Sequence, residues 1–255
     1  MTQMTQTRFS IHDELPIDRV DVDLVETAKV DLAALEPSYR QLITPDENER
    51  MARFVFERDR RQFLITRALV RTMLSRYAEV APGDWRFITN QYGRPEVLDR
   101  PAGVADLRFN LSHTDGLSAC AVAVGREVGI DVESLAREVT HDIPARFFAP
   151  SEVADLRGLP EDDQPRVFFD YWTLKEAYIK ARGMGLSLPL CDFAFCLRPK
   201  ELPTITFSAA LEDDPSSWQF YQASPTPAHR LGLAVRRNGQ DLPIRVRKVV
   251  PRVSA

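Results

Sequence analysis

The sequence predicts an α+β protein built from two similar halves, each a long helix packed on a small antiparallel sheet. Three observations carry this expectation. Apolar residues recur at helical spacing across residues 45–79, they do so again across 165–182, and each stretch is followed by short apolar runs separated by turn residues. The two cycles meet near Gly125, which sets an N-terminal half at 1–124 and a C-terminal half at 125–255. The halves show no sequence identity to each other, so the repetition is one of pattern.

Residues 1–43 hold short apolar runs between acidic residues. Pro45 and Asp46 then open the first helical stretch, where Met51, Ile65, Leu69, Met73 and Tyr77 share a face, and the succession Phe54-Val55-Phe56 predicts a break. Pro82-Gly83 ends it. Strands are predicted at 85–88, 96–98, 108–112, 117–124 and 128–133, punctuated by Tyr-Gly-Arg-Pro and Asp-Gly turns. In the second cycle Ser151 is expected to cap a short helix to about Leu156, and Pro165 begins a longer one to Arg182. Gly183, Gly185 and Pro189 stop it, and strands follow at 193–197, 204–207, 218–222 and 231–236.

Composition excludes several classes. Of 255 residues, 44% are apolar, and 33 Lys and Arg against 37 Asp and Glu leave a net charge of −4, which describes a folded chain and excludes charge-driven nucleic-acid binding. No window approaches the roughly 18 uninterrupted apolar residues of a membrane span, and the opening Met-Thr-Gln-Met lacks a secretory pattern, so a cytoplasmic protein without a membrane partner is expected. Cys120, Cys191 and Cys196 form no Cys-x-x-Cys pair and read as buried small residues in strands.

Four segments carry chemistry. In Val128-Gly129-Ile130-Asp131-Val132-Glu133 the two carboxylates lie two residues apart on a strand and therefore project from one face, where they can share a hard divalent cation; the plainer reading is a solvated edge strand. The segment Tyr-Trp-Thr-Leu-Lys-Glu-Ala-Tyr-Ile-Lys sets Glu176 and Lys180 one turn apart with Lys175 beside them, which alone is an ordinary helix-stabilising pair, although the aromatic density at 168–172 points to burial. Phe109-Asn110-Leu111-Ser112-His113-Thr114 gathers hydroxyls, an imidazole and turn amides at a strand end, suited to a phosphate. Ser112 and His113 are adjacent on a strand and point to opposite faces, which excludes a Ser-His nucleophile pair. Finally, Arg50, Arg53, Arg58, Arg60, Arg61, Arg67, Arg71 and Arg76 crowd the first helical stretch; most belong to solvated surface, one or two to a phosphate fork, as could Arg94 in Tyr-Gly-Arg-Pro.

Taken in order, Gly-Ile-Asp-Val-Glu followed about forty residues later by Trp-Thr-Leu-Lys-Glu-Ala-Tyr-Ile-Lys, with Asn-Leu-Ser-His upstream, resembles the signature of the 4′-phosphopantetheinyl transferases. Glu-Arg-Met-Ala-Arg-Phe-Val-Phe-Glu-Arg-Asp and Gly-Arg-Pro are similar to the larger, pseudo-dimeric branch, the Sfp-type transferases that activate surfactin synthetase. The resemblance covers roughly residues 45 to 195.

It implies the transferase fold and an enzyme that moves the phosphopantetheine arm of coenzyme A onto a serine of an apo acyl or peptidyl carrier protein, releasing 3′,5′-ADP. It implies Mg²⁺, or Mn²⁺, held by Asp131, Glu133 and Glu176, with Glu176 as base, and Lys180 on the departing phosphate. It sets the 3′-phosphate of coenzyme A against Arg50, Arg94 and His113, with Ser112 and Asn110 nearby, and it implies a monomer. Arg94 stands where Lys is common, and the position of Glu133 is not acidic in every member. A carrier is expected to dock on the Gly183-Met184-Gly185-Leu186 loop with Arg182 and on Arg146-Phe147-Phe148. Two other classes remain: a Mg²⁺-dependent pyrophosphate hydrolase, and a non-catalytic coenzyme A or carrier-binding module, which would typically lose the three carboxylates.

Overall fold

Side-chain alternation along the strands decides the layering. The computed structural model describes residues 14–98, 106–139 and 142–253; the opening residues read above for a secretory pattern lie outside that range. The strands are β1 (Val20–Glu26), β2 (Phe87–Thr89), β3 (Pro95–Val97), β4 (Leu107–Thr114), β5 (Leu117–Val124), β6 (Val128–Ser134), β7 (Phe193–Cys196), β8 (Thr204–Phe207), β9 (Trp218–Ala223), β10 (His229–Arg236) and β11 (Ile244–Lys248). The helices are α1 (Leu32–Arg40), α2 (Pro45–Ala52), α3 (Glu57–Ser75), α4 (Ile143–Phe147), α5 (Pro150–Arg157) and α6 (Gln164–Arg182).

Two sheets, in strand order β11-β1-β5-β4 and β6-β10-β9, stack with an apolar layer between them. Val20, Val22 and Leu24 of β1 and Leu117, Ala119, Ala121 and Ala123 of β5 meet Val128, Ile130 and Val132 of β6 and Leu231, Leu233 and Val235 of β10 in that layer. The alternate residues face outward to a helix on each side. Cys120 and Val122 pack in the core built around α3, and Ser118 shares hydrogen bonds with Gln62 and Thr66 of that helix. The order is therefore helix, sheet, sheet, helix, and each half is a 19-residue helix on a small sheet, as the sequence predicts.

Helix α6 lies directly on its sheet because two strand positions lack a side chain. A Cβ on Gly129 would stand 2.1 Å from the Ala177 carbonyl oxygen, and one on Gly232 would stand 2.5 Å from the Thr173 carbonyl. Only glycine permits that approach. A fully buried pair anchors the same helix: Lys175 Nζ reaches Glu152 (2.7 Å) and donates to the Leu190 and Phe193 carbonyls (2.8 and 2.7 Å), while Glu152 accepts from the Ala149 and Phe195 amides (both 2.8 Å). Every polar bond of the buried pair is thus made, which is what a buried ion pair requires.

The halves also meet where β4 and β6 run side by side, and no main-chain ladder joins these two strands. Side chains do so instead. Asn110 accepts from the Ile130 amide (3.0 Å), Ser112 from that of Val132 (3.3 Å) and Thr114 from that of Ser134 (3.2 Å), so three alternate residues of β4 each satisfy an edge donor of β6.

Several expectations need correction. β1 and α1 form within the stretch read as short apolar runs, and β11, which the pattern did not reveal, leaves the second half to pair in parallel with β1 of the first. Ser151 is not a cap: Ala149 holds that position, and the Glu152 carboxylate takes its amide. Cys191 is exposed in a turn rather than buried in a strand. The break predicted at 54–56 separates α2 from α3, where Thr44 and Glu47 form a capping box at the start of α2.

Candidate active site

The face of β6 turned toward α6 carries Gly129, Asp131 and Glu133 in succession, so the glycine that admits the helix sits one step before the carboxylate the helix addresses. Lys180 Nζ donates to Asp131 Oδ1 (2.6 Å), to Ser112 Oγ (3.2 Å) and to the Ile130 carbonyl (3.3 Å). Ser112 also donates to Asp131 Oδ1, at 2.9 Å. Asp131 is buried, and its second oxygen, Oδ2, has no hydrogen-bond partner. Such an atom is costly unless a ligand or ion completes it.

Glu176, one turn before Lys180, has its pKa pushed up to about 7, first by burial and then by Asp131, against the opposing pull of Lys180. Glu133 is also raised, by burial and by Asp131, although Arg137 pairs with it at 2.7 Å. Glu133 and Glu176 thus lie close enough to the Asp131 carboxylate to be raised by its charge. Among the described residues no three Asp, Glu, His or Cys groups form a ready-made metal cage, but Mg²⁺ is commonly held by one or two carboxylates, with waters and substrate phosphates completing the shell. The free Oδ2 and the mutual repulsion fit a cation of that kind.

Beyond the strand end opens a cleft of about 630 Å³, lined by Arg50, Phe63, Arg67, Gly93, Pro95 and His113 among others. The guanidinium carbons of Arg50 and Arg67 lie 5.9 and 5.0 Å from the centre of the Phe63 ring. Burial lowers the Arg67 pKa, and Arg50 and Arg71 press it the same way against the attraction of Glu47. His113 reaches the cleft surface, but the surrounding walls desolvate its imidazole and hold its pKa low, with Lys180, Arg67 and Arg50 adding to the effect against Asp131. Arg50 and Arg67 thus give the cleft a positive wall, with Asp59 and Asp115 also lining it.

Of the residues singled out from the sequence, Asp131, Glu133, Glu176, Lys180 and Ser112 gather at the seam, and Arg50 and His113 at the cleft. Asn110 does not join them; its amide oxygen is committed to β6. Arg94 does not line the cleft either. Its guanidinium donates to the Ala181 carbonyl (2.9 Å) and pairs with Glu96 (2.7 Å), at the end of α6. Arg67 was one of eight arginines with nothing in the sequence to separate it from the rest; helical spacing from Phe63 was the one available signal. The expected docking residues are mostly spoken for: Phe148 is buried, Met184 and Phe147 are packed against the second core, and Arg182 is bound to Asp213.

Comparison with known proteins decides the family. A model of the 4′-phosphopantetheinyl transferase superfamily matches residues 127–235, and one for the N-terminal part of a 4′-phosphopantetheinyl transferase matches 37–124. The chain is 39% identical over 194 residues to the 4′-phosphopantetheinyl transferase HetI of Nostoc sp. strain PCC 7120, covering 75% of this chain and 77% of that one. The chain belongs to the 4′-phosphopantetheinyl transferase family. Sfp of Bacillus subtilis strain 168 is 35% identical over 156 residues, 61% of this transferase and 67% of Sfp. Among solved structures, the holo-[acyl-carrier-protein] synthase of Neisseria meningitidis aligns over 44% of this transferase and 98% of that chain, with a TM-score of 0.38 and 16% identity. As a member of the Sfp-type branch, the protein is a transferase that moves phosphopantetheine to carrier proteins.

Proposed function

We propose that the seam between the halves is where this transfer occurs, with coenzyme A as donor, an apo acyl or peptidyl carrier as acceptor and Mg²⁺ as the cation. The observation that carries the proposal is the unpartnered Oδ2 of buried Asp131, whose other oxygen holds Lys180 and whose charge raises Glu176, while His113, which lines the arginine cleft, feels both Asp131 and Lys180. Asp131 and Glu176, with Glu133 beside them, would hold the cation, which when bound offsets the negative charge of the pyrophosphate.

The chain's own residues supply the remainder. Arg50, Arg67 and His113 bind the 3′-phosphate end of coenzyme A, since guanidinium forks and an imidazole match a dianion. Glu176 takes the proton of the attacking carrier serine. The serine oxygen forms a bond to the phosphorus that carries pantetheine. The bond from that phosphorus to the bridging oxygen breaks, and 3′,5′-ADP leaves with its new charge facing the Lys180 ammonium. Ser112 keeps Lys180 and Asp131 in register by bonding both. The N-terminal half (1–124) supplies most of the nucleotide cleft and the C-terminal half (125–255) the carboxylates and the helix; the enzyme acts as a cytoplasmic monomer.

Incubation with coenzyme A, Mg²⁺ and a panel of apo-carriers tests this. Carrier mass should rise by one phosphopantetheine; release of coenzyme A fragments without any carrier would instead indicate a hydrolase.

A further inference from the structure

The β2–β3 hairpin of the first half reaches the end of the catalytic helix of the second, and two side chains near its tip are fully used there. Asn90 Oδ1 accepts from the backbone amides of Tyr92 (2.9 Å) and Arg94 (3.0 Å), closing the turn, while its Nδ2 donates to the Gly183 carbonyl at 2.8 Å. Two donors on one side and an acceptor on the other define which way the amide points. Arg94 donates from Nη1 to the Ala181 carbonyl (2.9 Å), pairs through Nη2 with Glu96 (2.7 Å), and fills the space beside Gly183.

The carbonyls gripped in this way end α6, where they lack helical partners and carry the negative end of the helix dipole. Ala181 directly follows Lys180, whose ammonium is bonded to Asp131. The last turn of α6 is therefore tied to β6 on one side and to the hairpin on the other. That hairpin also lends Thr89, Gly93 and Pro95 to the wall of the arginine cleft.

We infer that Asn90 and Arg94 are positioning residues that register the catalytic helix against the cleft, so that a nucleotide seated in the first half stands at a set distance from Glu176 and Lys180 in the second. The inference rests on the site assignment above, and it gives Arg94 to the helix end rather than to the 3′-phosphate.

Steady-state kinetics of Asn90→Asp and Arg94→Lys test it. Asn90→Asp keeps both acceptor bonds of the turn and replaces the donor to Gly183 with a carboxylate oxygen that repels its carbonyl. Its kcat should fall roughly tenfold with the KM for coenzyme A changed by less than about twofold, because misplacement of reacting groups appears in turnover. Arg94→Lys, which keeps a cation that can reach one carbonyl, should retain most of the rate. A raised KM with unchanged kcat in either variant would make these residues substrate ligands and overturn the inference, as would unaltered kinetics of Asn90→Asp. Should the variants not fold, hydrogen exchange on the wild-type enzyme decides: 3′,5′-ADP in the cleft should slow exchange at residues 180–183, and unchanged protection overturns the clamp. Absence of transfer by the wild-type enzyme would defeat the site assignment instead, so the two failures are distinct.

Discussion

Asp131 and Glu176 make opposite demands on folding and on function. Burial and mutual repulsion raise Glu176, so its ionised form weakens the fold above the ordinary carboxylate pKa of 4.5 and increasingly so as pH rises through about 7. Glu176→Gln is therefore expected to lower turnover by on the order of a hundredfold or more while leaving Tm unchanged or raised at pH 8; a near-normal rate would remove Glu176 from its proposed roles. Metal binding should share this titration. Mg²⁺ needs the carboxylate, so its affinity should fall as pH drops below about 7, with proton uptake on chelation and release on binding, measurable by calorimetry in buffers of different ionisation enthalpy. At the other end of the site, coenzyme A lacking its 3′-phosphate should bind more weakly. Arg67→Ala should shrink that difference, since a charge-assisted hydrogen bond contributes roughly 1.5–3 kcal/mol; equal shrinkage by Arg94→Ala would return Arg94 to the phosphate.

On the proposed site, helix α6 would couple stability to catalysis, because the surface that buries it also carries Glu176 and Lys180. At Gly129 an added Cβ meets backbone rather than a movable side chain, 2.1 Å from the Ala177 carbonyl oxygen. Gly129→Ala should therefore destabilise by about 3 kcal/mol and lose activity with it, in contrast to Glu176→Gln, which loses activity alone. Denaturant unfolding alongside transfer assays separates the two; a stable, active Gly129→Ala would show that the helix can shift without cost. The seam between β4 and β6 is the other coupling element. Ser112 links the Val132 amide, Asp131 and Lys180, so its loss removes an edge-strand partner and loosens the Lys180 ammonium together.

Across the whole molecule, the chain closes on itself through β11. Arg245 pairs with Asp21 of β1 at 2.7 Å, and Tyr77 at the end of α3 donates to the same carboxylate. Burial alone would raise the pKa of Asp21, but hydrogen bonds from Arg245, Tyr77 and Arg19 outweigh it and hold the carboxyl low. A depressed carboxylate stabilises above its unfolded pKa of 3.8 and loses that contribution as pH falls through the lower folded value. Acid should thus weaken the β1–β11 pairing, and Asp21→Asn should flatten the acid limb of a Tm-against-pH curve; an unchanged limb would place the acid sensitivity elsewhere.

Local patterns were sufficient wherever one face of an element settles its conformation. The two long helices, the break near Phe54, the strands from β4 to β6 and the shared face of Asp131 and Glu133 were legible because side-chain period reports burial directly. β1 was not, since Asp21 and Asp23 interrupt an apolar run and their partners, Arg245, Arg247, Tyr77 and Arg76, come from the far end of the chain and from α3. β11 was hidden for the same reason, as its residues acquire a strand's environment only beside β1. The chemical identity of the site, an Asp-x-Glu strand with a Glu and a Lys one helical turn apart, was written in sequence. Which polar residues face a ligand was decided only by tertiary structure: Asn110 turned to the seam, Arg94 to a helix end and Arg67 to the cleft. A side chain's type limits the bonds it can make, but the partners within reach are set by packing between segments far apart in the chain.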